Sequence, residues 1–439
     1  MDISNIPITR RHFLLLGASA TAPLFLGCAA NPVTGKKQLM LISESDEKQI
    51  DRKHSPHQFS GDYGAVQDPQ LSQYVGGVGK SIAKRSHRTD LPYRFVPLNA
   101  TYVNAYTFPA GSVGITRGIL LEMESEAALA ALIGHELGHV SARHTAQQMS
   151  KSLLSSLALA GLTSVASDAG DKTGKLASGL GQLATGALLA SYSRDNEREA
   201  DSLALTYMVK AGYGPKGHTE LMDMLRNLSK NKPSAIELMF STHPMSDERY
   251  RDSLKSIAKL PASSRELPLH RERYMDNTAK LRSIGDAIDR MQRGERFLYG
   301  GKYGDAEGLF REALNLAPGD YAGLLLMAKC QLALEKPDIS RKFARDASSA
   351  YPGEPQALHI LGMCELSLKK YDEAYDHFQM YAKALPGNPN TLFYQGLSAE
   401  GMSKRDLAAR HYKAYLNEVN RGEKAQYAYG RLKEWGYIK

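Results

Sequence analysis

The amino-acid sequence predicts a mainly helical α+β protein, in which a domain with a small β-sheet precedes an all-α solenoid of repeats. Three observations carry this prediction. Between Tyr93 and Thr116 the segments YRFVPL, TYVNAYTF and SVGIT are rich in β-branched and aromatic residues, with turn signals at Pro109, Gly111 and Gly118. From Ser125 the stretch SEAALAALIGHELGHVSARHTAQQMS carries Ala and Leu at helical spacing and contains no proline. Pro-Gly then recurs at Pro318, Pro352 and Pro386, a period of 34 residues.

Length and composition bound the rest. A chain of 439 residues exceeds one ordinary core and predicts two or three domains. Hydrophobic residues at 42% with 23% charged place it among globular proteins. The net charge of +8 is spread along the chain with no stripe of basic and aromatic residues, so no nucleic-acid partner is expected. Cys28, Cys330 and Cys364 form no C-x-x-C pair, which leaves histidine and carboxylate to build any metal site.

Residues 1–27 are laid out as a bacterial signal peptide. Arg10 and Arg11 precede an apolar run from Phe13 to Leu26 that is too short for a permanent span. TRRHFL resembles a twin-arginine export signal, with a Sec-type signal as the other reading. LFLGC resembles a lipoprotein signal, which implies a lipidated Cys28 as the first mature residue; in the other reading cleavage is ordinary and Cys28 is incidental. Each buried CH₂ of an acyl chain contributes about 0.8 kcal/mol to membrane attachment. Ala29, rather than an aspartate, follows the cysteine, which by resemblance to enterobacterial lipoproteins points to the outer membrane. An exported, periplasmic chain attached to that membrane by a lipid anchor is therefore expected. Palmitate labelling should disappear in Cys28→Ser, and labelling that persists would refute lipidation there.

Residues 28–60 read as the lipidated N-terminus, a linker and a helix, and 61–265 as the domain that carries the sheet. Within the latter, SLLSSLALAGLTSVAS and LASGLGQLATGALLAS make residues 152–190 small, apolar and glycine-rich, yet too short to span a membrane. A packed helical pair is the preferred reading and a mobile flap over a cleft the other.

A connecting segment, 266–286, leads to repeats and a capping helix over 287–439. Small residues stand at Ala306, Ser340, Ala374 and Ala408, aromatics at Phe310, Phe378 and Tyr412, and Gly294, Ala328, Gly362 and Gly396 mark the first helix of each unit. This pattern resembles the tetratricopeptide repeat, a helix pair that buries its apolar face only by stacking on neighbours. Four units fit over about 287–422, before a cap ending near Trp435. Cys330 and Cys364 hold equivalent places in adjacent units. Such places lie about one helix diameter apart, ~10 Å, whereas a disulfide needs Cα atoms within ~7 Å. Two buried small hydrophobes are expected instead.

The chemistry gathers in HELGH. His135 and His139, at i and i+4, share one helix face and can hold one ion. Glu136 is rotated off that seam and can reach a water as a base, the H-E-x-x-H arrangement. Chance occurrence of so short a motif is common, so a third ligand is required. Ala142 and Thr145 stand where the extended metzincin pattern wants glycine and histidine, which excludes that class, and His144 reads as solvated. Downstream, SRDNEREAD places Glu197 and Asp201 one helical turn apart. Glu197 can complete a two-His, one-carboxylate set, and Asp201 can accept from a ligand histidine in the second shell around the metal. The competing reading is a charged solvent face paired with Arg194 and Arg198; Glu199 is assigned to that face.

HELGH, SRDNEREAD and STHP together resemble the zinc metallopeptidase family of HtpX and the CAAX prenyl proteases. The order signal, NPVTG, protease domain and repeats is similar to its BepA-type periplasmic members. The resemblance implies a zincin-like metalloprotease domain with one Zn²⁺ per chain, ligated by His135, His139 and Glu197, and Glu136 as the catalytic general base. Asn104 in NAYTF falls where the family has an active-site asparagine. His243 of STHP is implied as a fourth, latching ligand that holds the enzyme latent, with a helix-capping role as its plain alternative. The implied function is a periplasmic zinc endopeptidase degrading unfolded or misassembled envelope polypeptides, with the repeats recruiting substrate or outer-membrane assembly machinery. The alternative is a chaperone or assembly factor for outer-membrane proteins with latent proteolysis. AGSVGIT (110–116) is the expected substrate-pairing edge strand.

Overall fold

The computed structural model describes residues 28–163 and 191–439. The expected signal peptide and residues 164–190 of the glycine-rich segment, with its readings as helical pair or flap, lie outside the described residues. Among those described, no helix is long and apolar enough to cross a membrane.

The chain begins with a hairpin, β1 (Cys28–Ala30) against β2 (Lys37–Leu39), where a plain linker was expected. Asn31 makes the turn possible: its side-chain oxygen accepts from the N–H groups of Val33 and Thr34. Helix α1 (Glu44–Gly61) follows, capped by the reciprocal pair Ser43 and Asp46. Helix α2 (Pro69–Ala83) starts at Asp68, whose carboxylate accepts from two backbone N–H groups, with proline in the first turn where no intrahelical donor is needed.

Three strands form the sheet: β3 (Arg94–Leu98), β4 (Ala105–Thr107) and β5 (Ser112–Thr116), in the order β3-β5-β4. β3 and β5 run parallel with Arg94 opposite Ser112, and β4 is antiparallel with Ala105 opposite Ile115. β5 is therefore the central strand, with its backbone groups engaged on both sides and all five residues buried. This corrects the expectation that AGSVGIT is an edge; the free edge beside it belongs to β4.

Helices α3 (Arg117–Glu122), α4 (Glu126–Ala142) and α5 (His144–Thr163) come next. Then follow α6 (Arg194–Lys210), α7 (Lys216–Asn231), α8 (Pro233–Thr242), α9 (Asp247–Ala258), the short α10 (Ala262–Arg265) and α11 (Arg271–Ser283). The core of this half gathers around α4: Val75 and Ile82 of α2, Val113 and Ile115 of β5, and Leu203 and Tyr207 of α6 belong to its apolar cluster.

The solenoid is built of helix pairs. These are α12 (Gly285–Tyr299) with α13 (Tyr303–Leu316), α14 (Tyr321–Ala333) with α15 (Pro337–Ala350), α16 (Gln356–Ser367) with α17 (Tyr371–Ala384), and α18 (Pro389–Gly401) with α19 (Arg405–Glu418). Helix α20 (Glu423–Glu434) caps them. The periodic small and aromatic residues meet across each pair. A Cβ on Gly294, Gly362 or Gly396 would sit 2.6, 2.8 or 2.5 Å from Phe310, Phe378 or Tyr412. Hydrogen in place of a side chain is what lets the ring of the second helix lie against the first. Cys330 and Cys364 are free and buried.

The two halves are in direct contact. Buried Arg117 pairs with Asp320 at 2.5 Å, Thr101 Oγ1 donates to Glu295 Oε2 at 3.0 Å, and Ser60 donates to Glu354. Burial pushes the Glu354 carboxyl up to about 7, against the opposing effect of the Ser60 hydrogen bond. Between its ordinary 4.5 and about 7, the folded chain holds a proton there that the unfolded chain has released. This group's contribution to stability therefore falls as pH rises through that window, by at most ~3 kcal/mol. In Glu354→Gln the fall should be absent, so its Tm should exceed the native value at pH 8 and approach it near pH 5. Parallel melting curves across this range would contradict the assignment.

Candidate metal centre

Helix α4 is set by its ends. Ser125 caps it by accepting from Ala128 N–H, and Arg143 ends it in the left-handed conformation at φ 59°. All seventeen residues are buried, and the helix packs glycine-first against α6. A Cβ on Gly134 or Gly138 would stand 3.0 or 2.9 Å from the backbone of Ala204 or Ala200. Small residues one turn apart on both helices thus allow a close crossing. That crossing carries Glu197, in the first turn of α6, up to the histidines.

The donors converge. His135 Nε2 and His139 Nε2 lie 3.1 Å apart, and Glu197 is 3.5 Å from the former through Oε2 and 3.3 Å from the latter through Oε1. His243, which follows α8, brings Nδ1 within 3.3 Å of His135 Nε2 and 3.1 Å of Glu197 Oε1. One ligand atom from each of the four residues lies within 4.8 Å of all the others. Donors ~2.0–2.1 Å from a tetrahedral ion stand about 3.3 Å from one another. The nitrogen–oxygen set fits a borderline-soft divalent metal such as zinc.

Glu136 points into the same space without joining the set. Its two carboxylate oxygens are buried and have no hydrogen-bond partner among the described residues, and Oε1 is 3.9 Å from His243 Nε2. Burial raises its pKa above the usual carboxylate value. The His139 ring is held neutral chiefly by burial. Burial likewise opposes charge on His135, but the Glu197 and Asp201 carboxylates beside it raise its pKa to about 10. A metal ion binding there displaces that proton. Glu197 and Asp201 stay ionised despite burial: the imidazoles of His135 and His243 hold Glu197 low, and Arg249 and His135 hold Asp201 low.

Two chains of contacts lead outward from the histidines. His135 Nδ1 lies 3.0 Å from Asp201 Oδ1, and Arg249 of α9 grips Asp201 through Nε at 2.7 Å and Nη2 at 2.8 Å. The third nitrogen of Arg249 reaches Glu197 Oε2 at 2.7 Å. On the other side, His139 Nδ1 shares a 2.9 Å hydrogen bond with His144 Nδ1, and His144 Nε2 meets Glu199 Oε2 at 3.1 Å. His144 is thus buried rather than solvated, and Glu199 ends a relay rather than a solvent face. The physical reason is the left-handed turn at Arg143, which folds His144 back under His139 at the start of a new helix. Tyr192 stacks on the His139 ring at 3.8 Å and 19°.

Asn104 is buried just before β4, and its side-chain oxygen has no hydrogen-bond partner among the described residues. It lines a cleft with Tyr102, Tyr106, Phe108, Leu238 and His243. Sequence reasoning missed Arg249 and Tyr192. The only available signal was position: Arg249 opens the helix after STHP, and Tyr192 directly precedes SRDNEREAD.

Residues 69–257 match the model of Peptidase family M48, and residues 297–364 match a tetratricopeptide repeat model. The beta-barrel assembly-enhancing protease of Escherichia coli K12 is 25% identical over 358 residues, covering 74% of this chain and 72% of that protein. The metalloprotease YcaL of the same strain is 26% identical over 255 residues, covering 56% of this chain and 97% of YcaL. A Vibrio cholerae protein, provisionally named as a beta-barrel assembly-enhancing protease, is 30% identical over 210 residues. That match covers 45% of this chain and 41% of the relative, so the chain spans under half of that relative's length.

Proposed function

From a chain that belongs to peptidase family M48 and carries tetratricopeptide repeats behind its metal cluster, we propose a zinc-dependent endopeptidase acting on unfolded or misassembled polypeptides of the bacterial envelope. The observation that carries this reading is the convergence of His135, His139, Glu197 and His243 beside a buried Glu136 whose oxygens have no hydrogen-bond partner among the described residues. In it, His135, His139 and Glu197 are the zinc ligands. Zinc so held supplies Lewis acidity for the scissile carbonyl and acidifies the attacking water. Glu136 takes the proton from that water and passes it to the leaving amide nitrogen. Asp201 fixes the tautomer and orientation of His135, and the His144–Glu199 relay does the same for His139. β4 is the outer strand on that side of the sheet and adjoins the cleft lined by Asn104 and His243, and an extended substrate pairs with it through its backbone.

His243 gives the second reading its support. A catalytic zinc needs an open position, and His243 Nδ1 lies among the other donors. Cleavage then requires His243 to leave, and until it does the chain acts as an assembly factor or chaperone with latent proteolysis. The repeats recruit the polypeptide or the outer-membrane assembly machinery, in keeping with the name of the Escherichia coli relative. Export to the periplasm and an acyl anchor on Cys28 complete the proposal.

The test is cleavage of unfolded casein, with zinc content recorded. His243→Ala should cut faster than the native chain, by on the order of tenfold if the latch is closed nine-tenths of the time. Equal or slower cutting by a zinc-loaded His243→Ala chain would remove the latch. Failure of both zinc-loaded chains to cut would favour the assembly-factor reading.

A further inference from the structure

The cleft beside the metal cluster has walls of one chemical kind. Tyr102, Tyr106 and Phe108 line it along and just before β4, Leu238 lines it from α8, and Tyr192 and His243 stand at the end next to the metal donors. None of the described residues that line it is a lysine, arginine, aspartate or glutamate. The hydroxyls of Tyr102 and Tyr106 both donate to Asp62, at 2.7 Å for Tyr102, and Gln58 Nε2 gives that carboxylate a third bond at 3.0 Å. With their hydroxyls so committed, the two tyrosines offer the cleft their rings.

The rings are fixed in place. Tyr106 lies against Gly114 of β5, where a Cβ would stand 2.7 Å from it, and its centroid is 6.0 Å from that of Phe108 and 6.2 Å from that of Phe59. Leu238 is 41% exposed. A lone exposed leucine is ordinary, but this one lines the space next to the groups that would hold the metal. The free volume of the cleft is about 50 Å³ with His243 in place, less than the ~150 Å³ that holds a benzene ring. It suits a branched aliphatic end rather than a ring. Burying such a group is favourable in proportion to its apolar area, whereas an ionised side chain would lose its water and find no counter-charge.

We propose that this cleft is a specificity subsite that takes a large aliphatic side chain, leucine above all, next to the bond that is cut, and that Leu238 and Tyr106 select it. The substrate class follows: segments cut beside aliphatic residues, which a folded protein keeps in its core and an unfolded one exposes. A strand paired on β4 sends alternate side chains to opposite faces, so every second residue is placed to meet the cleft. A segment that brings a charge to that position is refused.

The inference rests on the hydrolytic reading, and a binding measurement separates the two. Fragments of unfolded casein cut by the native chain, sequenced by mass spectrometry, should show Leu, Ile, Val or Met at one fixed position flanking the cut, favoured over Asp or Lys by at least ~10-fold. In Leu238→Lys the preference for leucine over aspartate should fall by at least ~5-fold, because the new ammonium group pairs with the acid. Leu254→Lys, at an exposed leucine of α9 outside the cleft, should cut as the native chain does. The zinc-loaded full chain carrying Glu136→Gln should bind a fluorescent, end-capped ten-residue peptide with one central leucine at least ~10-fold more tightly than its aspartate counterpart, as read by anisotropy. Adding Leu238→Lys to that chain should narrow the ratio by the same ~5-fold. The proposal is overturned if casein is cut with no aliphatic position at the cut sites, or if Leu238→Lys changes the preference by less than about twofold. It is also overturned if the leucine peptide fails to bind at ~1 mM. Leucine-selective binding that depends on Leu238, with no casein cleavage by the native chain, would uphold the subsite and fail the hydrolytic reading alone.

Discussion

Replacing Glu136 by glutamine is expected to lower cleavage of unfolded casein by about 10²–10⁴-fold while zinc content stays native. The substitution keeps the shape of the side chain and removes only its capacity to take a proton. Both Glu136 oxygens are buried without hydrogen-bond partners among the described residues, so no hydrogen bond to those residues is lost. A neutral amide in this site also avoids the desolvation that raises the native carboxyl's pKa, so folding should not suffer. The loss should therefore appear in kcat, with circular dichroism and Tm close to native. Cleavage that persists with zinc bound would show that another group moves the proton. Loss of zinc together with activity would instead place Glu136 among the groups that hold the metal.

The second large effect concerns how the two halves are joined. Arg117→Ala should destabilise the chain by about 3–5 kcal/mol, because it leaves Asp320 charged and buried with its cation removed. The Arg117 and Asp320 side chains are only 2% and 8% exposed, and the bond is doubled by a 3.0 Å contact from Nη2 to Oδ1. Burial alone would raise the Asp320 pKa; the Arg117 guanidinium overrides it and holds the carboxyl low. Asp320 also caps α14 by accepting from Gly323 N–H, so it stays in place when Arg117 is truncated. Calorimetry should show a Tm lowered by several degrees, and Asp320→Asn in the Arg117→Ala background should recover part of it. A Tm within a degree of native would mean that water reaches this pair and compensates it.

Much of the site was legible because its parts are local. His135, Glu136 and His139 owe their relative placement to one helix, as do Glu197 and Asp201, and helical pitch is the same wherever a helix sits. The solenoid was legible for a related reason. Gly294 against Phe310 and Gly396 against Tyr412 repeat one packing contact at one spacing, so the chain writes its own period.

His144 shows where such reasoning stops. Counting along α4 sends it off the metal face, but one left-handed residue, Arg143, ends that helix and returns the ring beneath His139. Local pattern likewise identified AGSVGIT as a strand without saying that it lies between two others. Arg249 binds Asp201 from 48 positions away, and no spacing rule reaches that far.

The sequence alone therefore determined most of the helices, the three-stranded sheet's segments, the repeat and the donor types, because each depends on residues within a turn or two of one another. It did not determine the N-terminal hairpin. Only the tertiary structure decided which strand is the edge, which histidine backs the site and how the solenoid meets the sheet. Those are contacts between distant segments, set by the small residues that let helices approach and by buried charges that tolerate only specific partners.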